Sequence, residues 1–285
     1  MARTLTTEPI QPGDLDVEAY ICTQCATQYA PSEAPPESCP VCVDERQYVN
    51  PAGQQWTTHA RLKRTHRNGV RTEGPGVIGI GVDPQIAIGQ RALLVRGAVG
   101  NVLWDCVPLL DDALGEMIDG MGGLHAIAIS HPHFHSSMVD WAHAFGCPVY
   151  VHADNREWVM RPDPSVRFWE GETMELGGGI TLVRCGGHFP GSAVLHHARD
   201  GGEIFTGDTF YVNPDRSTVA MMYSFPNHVP LSAATARRVA GAVELFEFGR
   251  IYGAWWGAVI GDDGKDTIRR SAQRYAAAIE GIYDP

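Results

Sequence analysis

Positive charge is scarce in this sequence. Among 285 residues, 22 Lys and Arg stand against 33 Asp and Glu, a formal net charge of −11. That balance argues against a nucleic-acid binder, whose phosphate contacts need a basic surface. Long apolar runs are missing too: the longest uncharged stretch, 217–236, is broken by Pro226, Asn227, His228 and Pro230, so it is no membrane helix. The opening residues Met1 to Glu8 lack the apolar core of a secretory leader, and a cytoplasmic location is expected. There is no Gly-x-Ser-x-Gly elbow of a serine hydrolase. Gly177-Gly-Gly179 has no following Lys-Ser/Thr and reads as a hairpin turn rather than a phosphate loop. Internal repeats are absent. What remains, 44% hydrophobic and 19% charged residues with 32 Gly and 19 Pro, suits a globular, turn-rich, enzyme-like protein of one or two domains.

Seven cysteines are an odd number, and four of them form two C-x-x-C pairs, Cys22/Cys25 and Cys39/Cys42. Each pair can turn two thiolates toward one ion, and two pairs complete a tetrahedron, a pattern suited to metal in a reducing compartment. Zinc is favoured and iron is the alternative, because rubredoxin-like knuckles and zinc ribbons share this spacing. The site is closed, so a structural role or recognition of a protein partner is expected of a domain spanning 1–50. Cys106, Cys147 and Cys185 lie in or beside apolar strands and read as inert buried thiols. Residues 51–74, with Arg61, Lys63, Arg64, Arg67 and Arg71, read as a linker or entry arm and a solvated basic face.

From residue 75 onward, apolar runs alternate with helical spacing. Strands are predicted at 76–80, 91–96, 100–106, 126–130, 148–152, 181–185, 193–197 and 203–206. Helices are predicted at 111–121, 136–145, 231–248 and 266–282. His196 and His197 are read as structural. The 126–130 strand runs into His131-Pro-His133-Phe-His135-Ser136, and a two-residue period would point three imidazoles to one side, where they could hold a borderline metal such as Zn²⁺. A fourth imidazole, His188, sits in Gly187-His-Phe-Pro-Gly-Ser192, and Thr206-Gly-Asp208 follows.

These elements, in this order, resemble the metallo-β-lactamase fold superfamily over about 75–285. Asn101-Val-Leu-Trp-Asp105 stands where that family has a strand-ending aspartate, and His131-x-His133-x-His135-Ser136 where it has H-x-H-x-D-H. Gly187 to Ser192 matches its G-H-T-P-G-S turn, and Asp208 its metal-bridging aspartate. The resemblance implies an αββα sandwich with a metal site in the groove between the sheets, so the chain is expected to be an α/β fold in which the small N-terminal four-cysteine domain precedes that sandwich. It assigns His131, His133 and His188 to one ion, with Asp208 as a ligand or close neighbour, and gives Asp105 a hydrogen bond to a ligand imidazole. The sequence departs from the pattern at His135 and Ser136 and lacks the last ligand histidine around Gly253-Ala-Trp255-Trp256-Gly257, so a single ion is expected.

His135 then becomes a candidate base or extra ligand. Tyr223, His228 and Trp256 are candidates for a substrate pocket, with His228 able to replace a lost ligand. The function expected is hydrolysis of a small ester, thioester or related carbonyl substrate by metal-bound hydroxide, with zinc or iron at the histidine site. The His131, His188 and Asp208 set also fits an Fe(II)-dependent dioxygenase of the persulfide dioxygenase type. A non-catalytic member with structural metals is the third reading.

Overall fold

Ala92-Leu-Leu-Val95 is apolar at every position, the mark of a strand buried on both faces. In the computed structural model, which describes residues 17–284, Leu93 and Val95 face one hydrophobic core while Ala92 and Leu94 face another. The opening residues Met1 to Glu8, read for a leader, lie outside the described residues. This strand, Ala92–Gly97, is third in a seven-stranded sheet ordered Arg67–Gly74, Val77–Asp83, Ala92–Gly97, Gly100–Trp104, Ala126–Ala128, Val149–His152 and Val166–Trp169. The first four strands pair antiparallel and the last three join in parallel.

A second sheet has six strands: Thr173–Gly177, Ile180–Arg184, Ala193–His197, Glu203–Phe205, Arg250–Tyr252 and Val259–Ile260. The two sheets meet over Val77, Leu93, Val102, Trp104, Leu182, Leu195, Phe205 and Tyr252. Helices Asp112–Gly120 and Met138–Phe145 cover the outer face of the first sheet, and Ala233–Gly241 and Gly264–Ile279 that of the second. The architecture is therefore an αββα sandwich. No helix among the described residues is long and apolar enough to cross a membrane.

Residues 51–74 are not a linker. Trp56–Thr57 pairs with Ile21–Cys22 in the cysteine unit. Thr58 caps the helix His59–Thr65, and Arg67–Gly74 is the edge strand of the large sheet. This strand is polar because it lies at an edge, where charged side chains stay solvated and discourage further pairing. The 231–248 segment is also shorter in helix than its spacing suggested, ending at Gly241.

Candidate metal centres

The four cysteines converge. Cys22 and Cys25 flank one turn, and Cys39 and Cys42 bracket the start of the short helix Pro40–Val43. Their Sγ atoms lie within 4.8 Å of one another, with Cys22 to Cys42 and Cys25 to Cys39 both 3.6 Å. For Zn–S bonds of ~2.3 Å the edge of a tetrahedron is ~3.8 Å, so the spacing fits a four-thiolate ion and is far too long for disulfides. Gln54 Nε2 donates to Cys22 Sγ at 3.1 Å, an interaction that favours a thiolate. Burial raises the thiols of Cys106, Cys147 (about 11) and Cys185 (about 12), which keeps them protonated and inert.

The histidine centre forms where the first sheet ends. Strand Ala126–Ala128 stops before Ser130, and Pro132 keeps His131 extended, with φ −166°. Pro132–Phe134 is then a 3₁₀ turn, so the two-residue period does not hold. His131 and His133 still reach the same point, where His188 and Asp208 join them, all four buried and with ligand atoms within 4.8 Å. His188 follows Gly186 and Gly187, both in the left-handed region; a Cβ on Gly187 would lie 2.8 Å from Val239 Cγ2. His133 Nδ1 is 3.2 Å from His188 Nε2, and Asp208 Oδ2 is 3.4 Å from His131 Nε2 and 3.9 Å from His188 Nε2. Bonds of ~2.0–2.1 Å from a tetrahedral ion to N and O place ligands ~3.3–3.4 Å apart, so this set fits one ion.

The atoms behind the ligands are held. His131 Nδ1 is 2.8 Å from Ser130 Oγ, and His188 Nδ1 donates to the Tyr223 carbonyl at 2.8 Å, which leaves its Nε2 lone pair facing the centre. His131 Nε2 and Asp208 Oδ1 are buried without a hydrogen-bond partner, an arrangement a bound cation would satisfy. Burial lowers the His131 imidazole to about 3 and His188 to about 4, and raises the Asp208 carboxyl to about 6. His133 is pushed well down by burial, with the neighbouring His188, His131 and Arg46 adding to it. At neutral pH these imidazoles are uncharged and ready as donors.

Several expected roles change. His135 is outside the ligand set; its ring bonds the Trp158 carbonyl at 3.1 Å, because the 3₁₀ turn rotates it away from His131 and His133. Asp105 does not reach an imidazole directly: its Oδ1 accepts from Ser130 N at 2.7 Å, and Ser130 relays the contact to His131. His228 is exposed at a hairpin turn, and Trp256 lies on the first sheet against Gly79 and Gly81. Trp255 is the tryptophan on the site's side, 6.2 Å from the Phe134 ring that packs on His131. Tyr223 is at the site, through its carbonyl and its ring.

The cysteine unit sits over this centre. Gln28 N donates to the Ser136 carbonyl at 3.2 Å, and Gln28 Nε2 to Asp140 at 2.7 Å. Arg46, four residues past Cys42, stands over the Phe189 ring at 4.3 Å and the Tyr223 ring at 4.7 Å. Phe189 in turn packs 5.0 Å from both His133 and His188. Neither Arg46 nor Ser130 was singled out from the sequence; the available signals were a basic residue just after the second knuckle and a serine just before the first histidine.

Comparison with known proteins agrees with this geometry. No family model matches the chain. Over 265 residues it is 43% identical to Bacillus subtilis (strain 168) uncharacterized protein YmaE, covering 91% of this chain and 96% of that one. In structure it is similar to DIM-1 metallo-β-lactamase (TM-score 0.54, 12% identity, 74% of this chain and 98% of that). The chain therefore belongs to one family with YmaE and has the metallo-β-lactamase fold. FIM-1 metallo-β-lactamase from Pseudomonas aeruginosa, in its mono-zinc form, is similar in fold to the same degree (TM-score 0.54, 15% identity, 76% and 97% covered).

Proposed function

We propose that the chain is a metal-dependent hydrolase of a small ester, thioester or related carbonyl substrate, acting at one ion held by His131, His133, His188 and Asp208. The observation that carries this reading is the near-tetrahedral spacing of four buried ligand groups, with His131 Nε2 left without a hydrogen-bond partner. Three imidazoles and a carboxylate favour zinc, with iron as the alternative. When bound, the ion would supply Lewis acidity and lower the pKa of a water that joined as a fifth ligand or took the place of Asp208. Ser130 and the Tyr223 carbonyl fix the His131 and His188 rings, so neither ligand reorganises during turnover. Burial raises the Asp208 carboxyl to about 6, so at neutral pH it is mainly the carboxylate that a ligand must be.

A structural metal is the second reading, favoured by the burial of all four ligands beneath Phe189 and Arg46. Elemental analysis of wild type and a His131→Ala/His133→Ala variant, with turnover of acetyl esters and thioesters, separates the two. About two ions per chain falling to about one, with turnover lost, supports the hydrolase. Bound metal without turnover supports the structural role. An unchanged ion count removes both readings.

A further inference from the structure

The guanidinium of Arg46 is fixed at one end and open at the other. Its NH1 bonds both carboxylate oxygens of Asp44 at 3.0 Å, and its backbone N bonds Asp44 Oδ1 at 2.9 Å. Its Nε is buried with no partner, and NH2 makes no hydrogen bond among the described residues. Nε–H and NH2–H form the side-on edge of the guanidinium, two parallel donors that match two coplanar carboxylate oxygens. The guanidinium carbon lies over the Phe189 and Tyr223 rings, and both of those residues flank His188. The positive charge is felt at the buried His133 ring. A donor edge with no acceptor, its Nε buried and its guanidinium held against two aromatic rings next to a metal centre, is the arrangement of a subsite that awaits its ligand.

We propose that Arg46 is the specificity residue of the histidine centre and recognises a carboxylate on the ligand through its Nε/NH2 edge. Naming that ligand a substrate rests on the hydrolase reading; the subsite itself does not. The cysteine unit thereby contributes to selection at the other centre, because Arg46 is placed by the turn that follows Cys42. Asp44 orients the guanidinium, and two parallel N–H donors in one plane match the two coplanar oxygens of a carboxylate.

The test is isothermal titration of glutarate and of methyl phosphate into the full-length, zinc-loaded protein, as wild type, Arg46→Gln and Arg46→Lys. Circular dichroism and zinc content serve as fold controls. Wild type should bind glutarate about tenfold more tightly than Arg46→Gln, and Arg46→Lys should not restore the difference, since an ammonium keeps the charge but loses the fork. Equal affinity in the Gln variant, or no glutarate binding by wild type, overturns the assignment. Tighter binding of methyl phosphate than of glutarate overturns the choice of carboxylate. Wild type that binds glutarate yet turns over no ester or thioester retires the hydrolase reading and leaves the Arg46 subsite standing.

Discussion

Ser130 touches three parts of the histidine centre at once. Its backbone N meets Asp105, its hydroxyl meets His131 Nδ1, and a Cβ on Gly207 would fall 2.4 Å from that hydroxyl. Only glycine, here at φ +51°, lets the Asp208 segment pass so close to the ligand it must meet. Ser130→Ala should leave the fold intact and weaken metal binding about 10–100-fold, read by competition with a chelator, because the His131 ring loses its restraint. At this scale the ligand types were legible: histidines, a glycine turn and an aspartate carry their chemistry in their identity. The roles of Asp105 and His135 were not. One acts through an intervening hydroxyl, and the other was placed by a strand period where the backbone turns in a 3₁₀ helix.

Strands and helices buried on a regular face were readable, and those at an edge were not. Ala92-Leu-Leu-Val95 declares itself by composition, whereas Arg67–Gly74 is built of charged and small residues and looks like a linker until its pairing with Val77–Asp83 is seen. One buried contact shows how firmly it belongs. Glu73, on that strand, pairs with Arg91, whose side chain is 0% exposed and which also bonds the Gly253 carbonyl at 3.0 Å. Glu73→Ala would strand the Arg91 charge in the interior. It should destabilise the protein by about 3–5 kcal/mol in urea unfolding, with the Arg91→Leu/Glu73→Leu double variant recovering much of the loss. A true linker would tolerate the single change.

For the molecule as a whole, the centre imposes a pH dependence on the metal-free protein. His131 is lowered to about 3, His135 and His188 to about 4, and His133 further below its ordinary value, all chiefly by burial. Unfolded imidazoles take up protons near pH 6.5 while the folded ones stay neutral, so stability is full above that pH and falls as the solution is acidified toward 4. Asp105, raised to about 8, and Asp208, raised to about 6, act in the opposite sense, holding protons in the folded state that the unfolded chain has lost. Four imidazoles against two carboxyls leave the unfolded chain with about two extra protons near pH 5.5, so stability should fall by roughly 3 kcal/mol per pH unit on acidification there. Urea unfolding of apo protein at pH 5, 5.5 and 6 measures it. A flat profile would show that the imidazoles are not buried as neutral groups.

The two metal centres also differ in when they can exist. Cys22 and Cys42 lie 20 positions apart, with Gln54 and the strand Trp56–Thr57 close by in sequence and Trp158 and Met160 packed on them from further along the chain. His133 and His188 are 55 positions apart and meet only after both sheets have formed and docked. Closing the shorter loop costs less chain entropy, and synthesis delivers the N-terminal segment first. The four cysteines can therefore be gathered round an ion at less chain-entropy cost, while the histidine ligands come together only in a nearly finished fold.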